Sequence, residues 1–271
     1  MKRWMVLGGV LVSALFAGGS RGTMTLELRT RVEPFKGSGQ WVSASFSQPL
    51  APAGTAIIIC DMWDKHWCRG ANERVGLLVQ KMNPLIDAAR EHGVTIIHAP
   101  SETMEFYAHH ASRLAMQAIP VVAPPAALTL AAPPLPIDDS GGGCDTPGDT
   151  EHKAWTREHP GLHIDARDFI SDQGTEIYSL LRARGINTVL MMGVHTNMCV
   201  LNRTFAIKQM TKWGVRCILV RDLTDAMYNP ADRPFVSHQQ GTELVIEHIE
   251  KYWAPSVTSA QLLAALGAPA K

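Results

Sequence analysis

The chain reads as an α/β protein. The expected architecture is a doubly wound, mainly parallel sheet with helices on both faces, a Rossmann-type three-layer arrangement, preceded by an N-terminal β-hairpin. Three observations predict it. Residues 56–60, 94–98, 188–192 and 215–220 are short and almost continuously apolar, as strands buried on both faces must be. Helical periodicity fills the intervals between them, and strand–helix–strand at this spacing is a parallel unit. Gly93, Gly185 and Gly214 each stand where a helix should end.

At the start, Lys2 and Arg3 precede an apolar run over residues 4–17 and then Gly18, Gly19 and Ser20. A charged lead, a short apolar core and a small-residue exit describe a secretory signal, expected over residues 1–20. The expected location is therefore outside the cytoplasm, periplasmic or extracellular. The run is short for a spanning helix, so no stable membrane insertion is expected after cleavage. Residues 24–50 read as an accessory hairpin and linker: residues 25–32 and 40–46 alternate around the turn-rich 36–39. Residues 51–271 read as the main domain. The formal net charge of +0 gives no basic field for nucleic acid or anionic lipid.

The first core strand ends in Asp61, followed by the polar and aromatic loop MWDKHWCRGA. A helix follows, with Val75, Leu78, Val79, Met82, Ile86 and Ala89 at helical spacing and Pro84 inside it. Residues 101–117 look partly helical. Residues 120–160 form a Pro- and Gly-rich insertion without regular periodicity; a lid over the site and a disordered segment are both consistent with it. Residues 162–164 suggest a short strand, and 172–184 a helix. After strand 188–192 the chain breaks at Gly193, Thr196 and Asn197 offer capping chemistry, and a helix is expected from near Cys199 to about residue 213. Residues 241–253 form an amphipathic helix, and a last helix starts near Thr258.

Five cysteines are present. An odd count leaves at least one thiol free, and Cys199, at a helix start whose dipole favours thiolate, is the natural one. Cys68 and Cys144 lie in loop-like sequence and could pair; five reduced thiols are the alternative. Open α/β sheets bind ligands at the carboxyl ends of their strands, where Asp61 and Cys199 both lie. A carboxylate at a strand mouth beside Trp63 and Trp67 is partly desolvated, which raises its pKa toward a range useful for proton transfer. Backbone N–H groups in the turn before Cys199 could serve an oxyanion.

Three strings carry a resemblance: Ile57-Ile58-Ile59-Cys60-Asp61, Gly193-Val194-His195-Thr196-Asn197-Met198-Cys199-Val200, and Leu219-Val220-Arg221-Asp222-Leu223-Thr224-Asp225-Ala226. In this order they resemble the isochorismatase-like cysteine hydrolase superfamily, which includes nicotinamidases, N-carbamoylsarcosine amidases and isochorismatases. The resemblance implies a hydrolase acting on a C–N bond of a small amide or carbamoyl compound through a thioester on Cys199, with Asp61 as base. It implies an Asp–Lys–Cys triad and a cis peptide at Val194–His195, in the turn that serves the oxyanion. The region where the family carries its lysine has none here; Lys153 is the nearest upstream, with Arg157, His163 and Arg167 as other cations. The Asp-x-His pair of metal-binding nicotinamidases is missing after the second strand, so no metal and no cofactor are expected; His66, Glu102, His109 and His110 are the residues another metal site would use. Trp63, Asp64, His66 and Trp67 are the candidate pocket residues. The expected partner is a small molecule, with no nucleic acid, and a homo-oligomer stays open because a neighbouring subunit often completes such pockets. Two other readings stand beside amide hydrolysis: isochorismatase-type vinyl-ether hydrolysis, and an exported small-molecule-binding protein without catalysis.

Overall fold

The computed structural model describes residues 22–267, so the expected signal over residues 1–20 lies outside the described residues. One eight-stranded sheet organises the chain, in the order β2-β1-β8-β7-β6-β3-β4-β5. Strands β3 (Thr55–Cys60), β4 (Thr95–Ala99), β5 (Phe169–Ile170), β6 (Thr188–Val194) and β7 (Arg216–Asp225) run parallel. Every residue of β3, β4 and β6 is buried, which explains their unbroken apolar character. The sheet divides two apolar layers: Ile58, Met191 and Leu219 face one, and Ile57, Leu190 and Ile218 the other.

Helix α1 (Arg69–Glu91) covers one face, buries Val75, Leu78, Val79, Met82, Leu85 and Ile86, and carries Pro84 within it. Helices α3 (Gly174–Ala183) and α6 (His238–Tyr252) contribute Ile177, Leu180, Val245 and Ile249 to the other layer. A capping box between Ser237 and Gln240 starts α6, and a second, between Thr258 and Gln261, starts α7 (Ser259–Ala265). Among the described residues no helix is long and apolar enough to cross a membrane.

Several elements differ from expectation. The hairpin β1 (Met24–Val32) and β2 (Val42–Leu50) is not a separate accessory: β1 pairs antiparallel with β8 (Ser256–Val257) and extends the main sheet. Arg29 and Arg31 then fasten it to Glu243, Glu247 and Glu250 of α6. The segment 101–117 is partly helical, as expected, its helix being α2 (Ala111–Gln117). The strand expected at 162–164 is absent, and the sheet takes Phe169–Ile170 instead. The helix expected from Cys199 to 213 is two short ones, α4 (Cys199–Asn202) and α5 (Ile207–Lys212), because the backbone turns extended at Arg203 (φ −58°, ψ 158°).

The insertion has no helix or strand over residues 120–160, yet it is pinned along its length. Leu128 donates to the Lys212 carbonyl, Asp138 to the Arg233 carbonyl, and His159 to the Met62 carbonyl. Arg74 binds both Asp145 of the insertion and Asp225 at the end of β7. Cys68 and Cys144 form a disulfide across 76 residues, joining the start of α1 to the insertion. Its end is held from below by His98 of β4, which is fully buried between Glu158 (2.8 Å) and Asp168 (3.2 Å). Asp168 also receives Arg90.

Two predictions follow from these anchors. Closing a loop of 76 residues removes entropy from the unfolded chain, so a Cys68→Ser, Cys144→Ser double variant should lose about 4 kcal/mol of unfolding free energy in urea titration. Burial opposes the His98 charge, but Glu158 and Asp168 override it and raise its pKa from 6.5 to about 9. Because this value lies above the unfolded one, the stabilisation is fully present below pH 6.5 and is lost as pH rises through about 9. Unfolding free energy measured from pH 6 to 10 should therefore fall across that window, and His98→Gln should remove the part of the fall that belongs to this group.

Candidate active site

The chain passes from β3 outward to β4 and β5, then returns to the other side of β3 to form β6 and β7. The sheet therefore changes direction between β3 and β6, and a crevice opens beyond the carboxyl ends of these two strands. Asp61 follows β3, and Cys199 follows β6. Cys60 pairs with Gly193 in the ladder, which sets the two turns side by side. Gly193 has φ +115°, and a Cβ there would overlap the Cys60 carbonyl oxygen, so this approach admits only glycine.

Asp61 is 0% exposed and sits in the left-handed backbone region at φ 47°. Its Oδ1 accepts the Ser101 backbone N–H at 2.7 Å, and its Oδ2 accepts Arg203 Nε at 2.9 Å. Burial raises its pKa; Arg203, the Cys199 thiol and Ser101 counter part of that rise. The carboxyl also meets the Cys199 thiol. Cys199 is partly exposed, whereas Cys60 and Cys217 are buried. Burial and the neighbouring Asp61 charge push the Cys199 thiol well above its ordinary value, with Arg203 opposing them. This corrects the expectation of a resting thiolate. Helix α4 is a single turn, so its dipole is small against the adjacent carboxylate. Burial and the Asp61 carboxylate thus favour the thiol form of Cys199.

The peptide Val194–His195 is cis. The His195 backbone amide reaches the Cys199 sulfur. Thr196 and Asn197 do not cap α4. Thr196 Oγ1 bonds Thr224 Oγ1 at 2.7 Å, and Asn197 exchanges bonds with the Met227 backbone and donates to Asp139, tying the turn to β7 and the insertion.

Arg203 is the cation at the site, and the sequence expectation missed it. Lys153 stands at the rim: it is 57% exposed and donates to the carbonyl of Glu102, a slot residue, rather than to Asp61 or Cys199. Arg157 lies over Phe106, His163 pairs with Asp87, and Arg167 with Asp165 and Glu91. Arg203 follows Cys199 by four residues, a spacing that puts both on one helical face, and that was the available signal. The Asp61 carboxylate, against the cost of burial, holds the Arg203 guanidinium firmly protonated.

Of the candidate pocket residues, Trp63, His66 and Trp67 line a slot of about 170 Å³ together with Cys199, Arg203 and His195. Trp155, in the insertion, stacks on Trp63 with centroids 4.3 Å apart and planes 12° apart. No periodicity pointed to it. Asp64 does not line the slot; it accepts Thr156 N–H and Oγ1–H and so positions the Trp155 segment. A wider cavity of about 480 Å³, lined by Leu135, Asp139 and Asn202, meets the slot at Cys199 and Arg203. Of the groups considered for a metal, His110 caps α2 by accepting Ser112 N–H. Among the described residues, the one cluster with ligand spacing is Cys68, Cys144 and Asp145, and there the two sulfurs are bonded to each other.

The thiol is testable directly. Iodoacetamide should label Cys199 at pH 7 more slowly than free cysteine, with the labelling rate rising into alkaline pH. Asp61→Asn should move that profile to lower pH and Arg203→Met to higher pH, read by mass spectrometry of the Cys199 peptide.

None of the curated proteins matches the chain in sequence. Among solved structures it is similar to a cysteine hydrolase from Pseudomonas syringae pv. phaseolicola, at 19% identity and TM-score 0.53, over 81% of this chain and 95% of that one. It also matches an isochorismatase from Pseudomonas putida at 16% identity and TM-score 0.47, over 79% and 92%. An N-carbamoylsarcosine amidase from Thermoplasma acidophilum matches at 13% and 0.43, over 76% and 96%. The first of these shows the shared fold. The family model for the Isochorismatase domain matches residues 55–259, the stretch that holds both Asp61 and Cys199, and the chain belongs to the isochorismatase-like hydrolase superfamily.

Proposed function

We propose that the protein is a cysteine hydrolase that cleaves a C–N bond of a small amide or carbamoyl compound. One observation carries the reading: the partly exposed Cys199 thiol faces a buried, up-shifted Asp61 carboxylate clamped by Arg203. Such a pair sets a base beside the thiol, in place to take its proton when a carbonyl arrives.

In this mechanism Asp61 takes the thiol proton as sulfur attacks the carbonyl carbon. The oxyanion meets the backbone amides of the 194–199 turn. Collapse breaks the C–N bond, and the amine leaves with the proton held on Asp61. A thioester on Cys199 remains. Asp61 then deprotonates a water that attacks this thioester, and the acid leaves as the proton returns to sulfur. Arg203 lowers the Asp61 pKa against the effect of burial. The Cys68–Cys144 disulfide supports an oxidising compartment and with it the export reading.

The test is ammonia release from a panel of small amides. Cys199→Ala should abolish it while leaving the unfolding transition in place, and full activity in that variant would overturn the reading. Asp61→Asn should lower kcat/KM about 10²- to 10⁴-fold. An acid-quenched reaction should show an acyl adduct on the Cys199 peptide.

A further inference from the structure

The slot beside Cys199 has a one-sided chemistry. Three indoles, Trp63, Trp67 and Trp155, line it. Its two imidazoles are neutral: burial, with Arg74 second, lowers His66 to about 4, and burial, with His66 second, lowers His195 to about 3. The cation on its wall, Arg203, is already held by Asp61 at 2.9 Å and Glu102 at 3.5 Å. Glu102 also takes Lys153 at 3.9 Å. Glu151, on the same wall, has no ion-pair partner among the described residues.

An anionic group entering this slot would find every wall cation among the described residues neutralised. With Trp63 stacked on Trp155 and already faced by Arg203 at 5.9 Å, a cationic group would find the Trp67 and Trp155 indoles and an unpaired carboxylate, the combination that recognises methylated ammonium ions. His195 adds a further mark of a ligand site: it is 2% exposed, lines the slot, and its Nε2 has no partner. The volume of about 170 Å³ suits one compact group, and the wider cavity on the other side of Cys199 is open to the leaving amine and to water.

We infer that the slot binds the ammonium end of a cationic amide or carbamoyl compound, with a methylated nitrogen on the acyl side a few bonds from the scissile carbonyl. This rests on the cysteine-hydrolase reading and narrows it to a substrate class. Trp155 and Glu151 are then the residues that set specificity, and both come from the insertion.

Binding is measured without turnover in the Cys199→Ala variant, by indole fluorescence. The probes are trimethylammonioacetamide, its uncharged isostere 3,3-dimethylbutanamide, and the anion succinamate. The cation should bind about ten-fold tighter than the isostere, and succinamate weakest. Adding Glu151→Gln, an exposed and conservative change, should cut that ratio about three-fold, and Trp155→Leu should cut it further. Equal binding of cation and isostere overturns the inference, as does binding of neither trimethylammonioacetamide nor tetramethylammonium at roughly 10 mM. Ammonia release by the unaltered protein separates the two claims. Selective cation binding with no release from any amide sinks the hydrolase reading and leaves the slot. Equal release from all three probes sinks the slot and leaves the hydrolase.

Discussion

The contact on which the site depends is the one between the Asp61 carboxylate and the Arg203 guanidinium. A carboxylate with no solvent exposure would hold its proton at neutral pH if left alone. Arg203 Nε at 2.9 Å and the Ser101 amide at 2.7 Å offset that tendency without abolishing it. The balance matters because the same carboxylate charge makes the Cys199 thiol harder to ionise. Burial and Arg203 therefore act on the Asp61 pKa in opposite directions, burial raising it and the guanidinium lowering it. The left-handed backbone at Asp61 is a local cost the fold tolerates to aim the side chain.

The second dependency is the insertion. The sheet and its helices supply Asp61, Cys199 and Arg203, but only one side of the slot. Trp155, Glu151 and Gly142 supply the other. These residues have no helix or strand to hold them, so their placement rests on a disulfide, on Arg74 between Asp145 and Asp225, and on the buried His98–Glu158 ion pair. The site is built from a rigid half that the core determines and an attached half that a few specific contacts determine.

That division explains what could be read from the sequence. The strands of the core were legible because burial on both faces leaves an apolar run, and Asp61 and Cys199 were legible because each follows such a run. Glu151 and Trp155 were not, because their positions depend on contacts across long stretches of chain that have no periodic signature. The break between α4 and α5 was also hidden, since the residues from Leu201 to Met210 keep a helical composition and only the turn at Arg203 interrupts them. The two-residue β5 escaped for a simpler reason: it is too short to show alternation. Lys153, Arg157, His163 and Arg167 precede β6 in the chain, whereas Arg203 follows Cys199 by four residues, and only that spacing marks it.

The identity of that cation has structural consequences. A guanidinium stays charged in a half-buried site where an ammonium readily loses its proton, and its fork can address two carboxylates at once. Arg203 does so, with Nε on Asp61 and Nη1 toward Glu102. Because it leaves the chain one turn after Cys199, Cys199, Asp61 and Arg203 all come from the ends of β3 and β6. No residue from β5 or the segment before it has to reach the thiol. That segment is then free to bind elsewhere, and it does: residues 157–159 pair with the backbone of 62–64, which carries Trp155 onto Trp63. With Arg203 in the same turn as Cys199, the insertion is left to form the opposite wall of the slot.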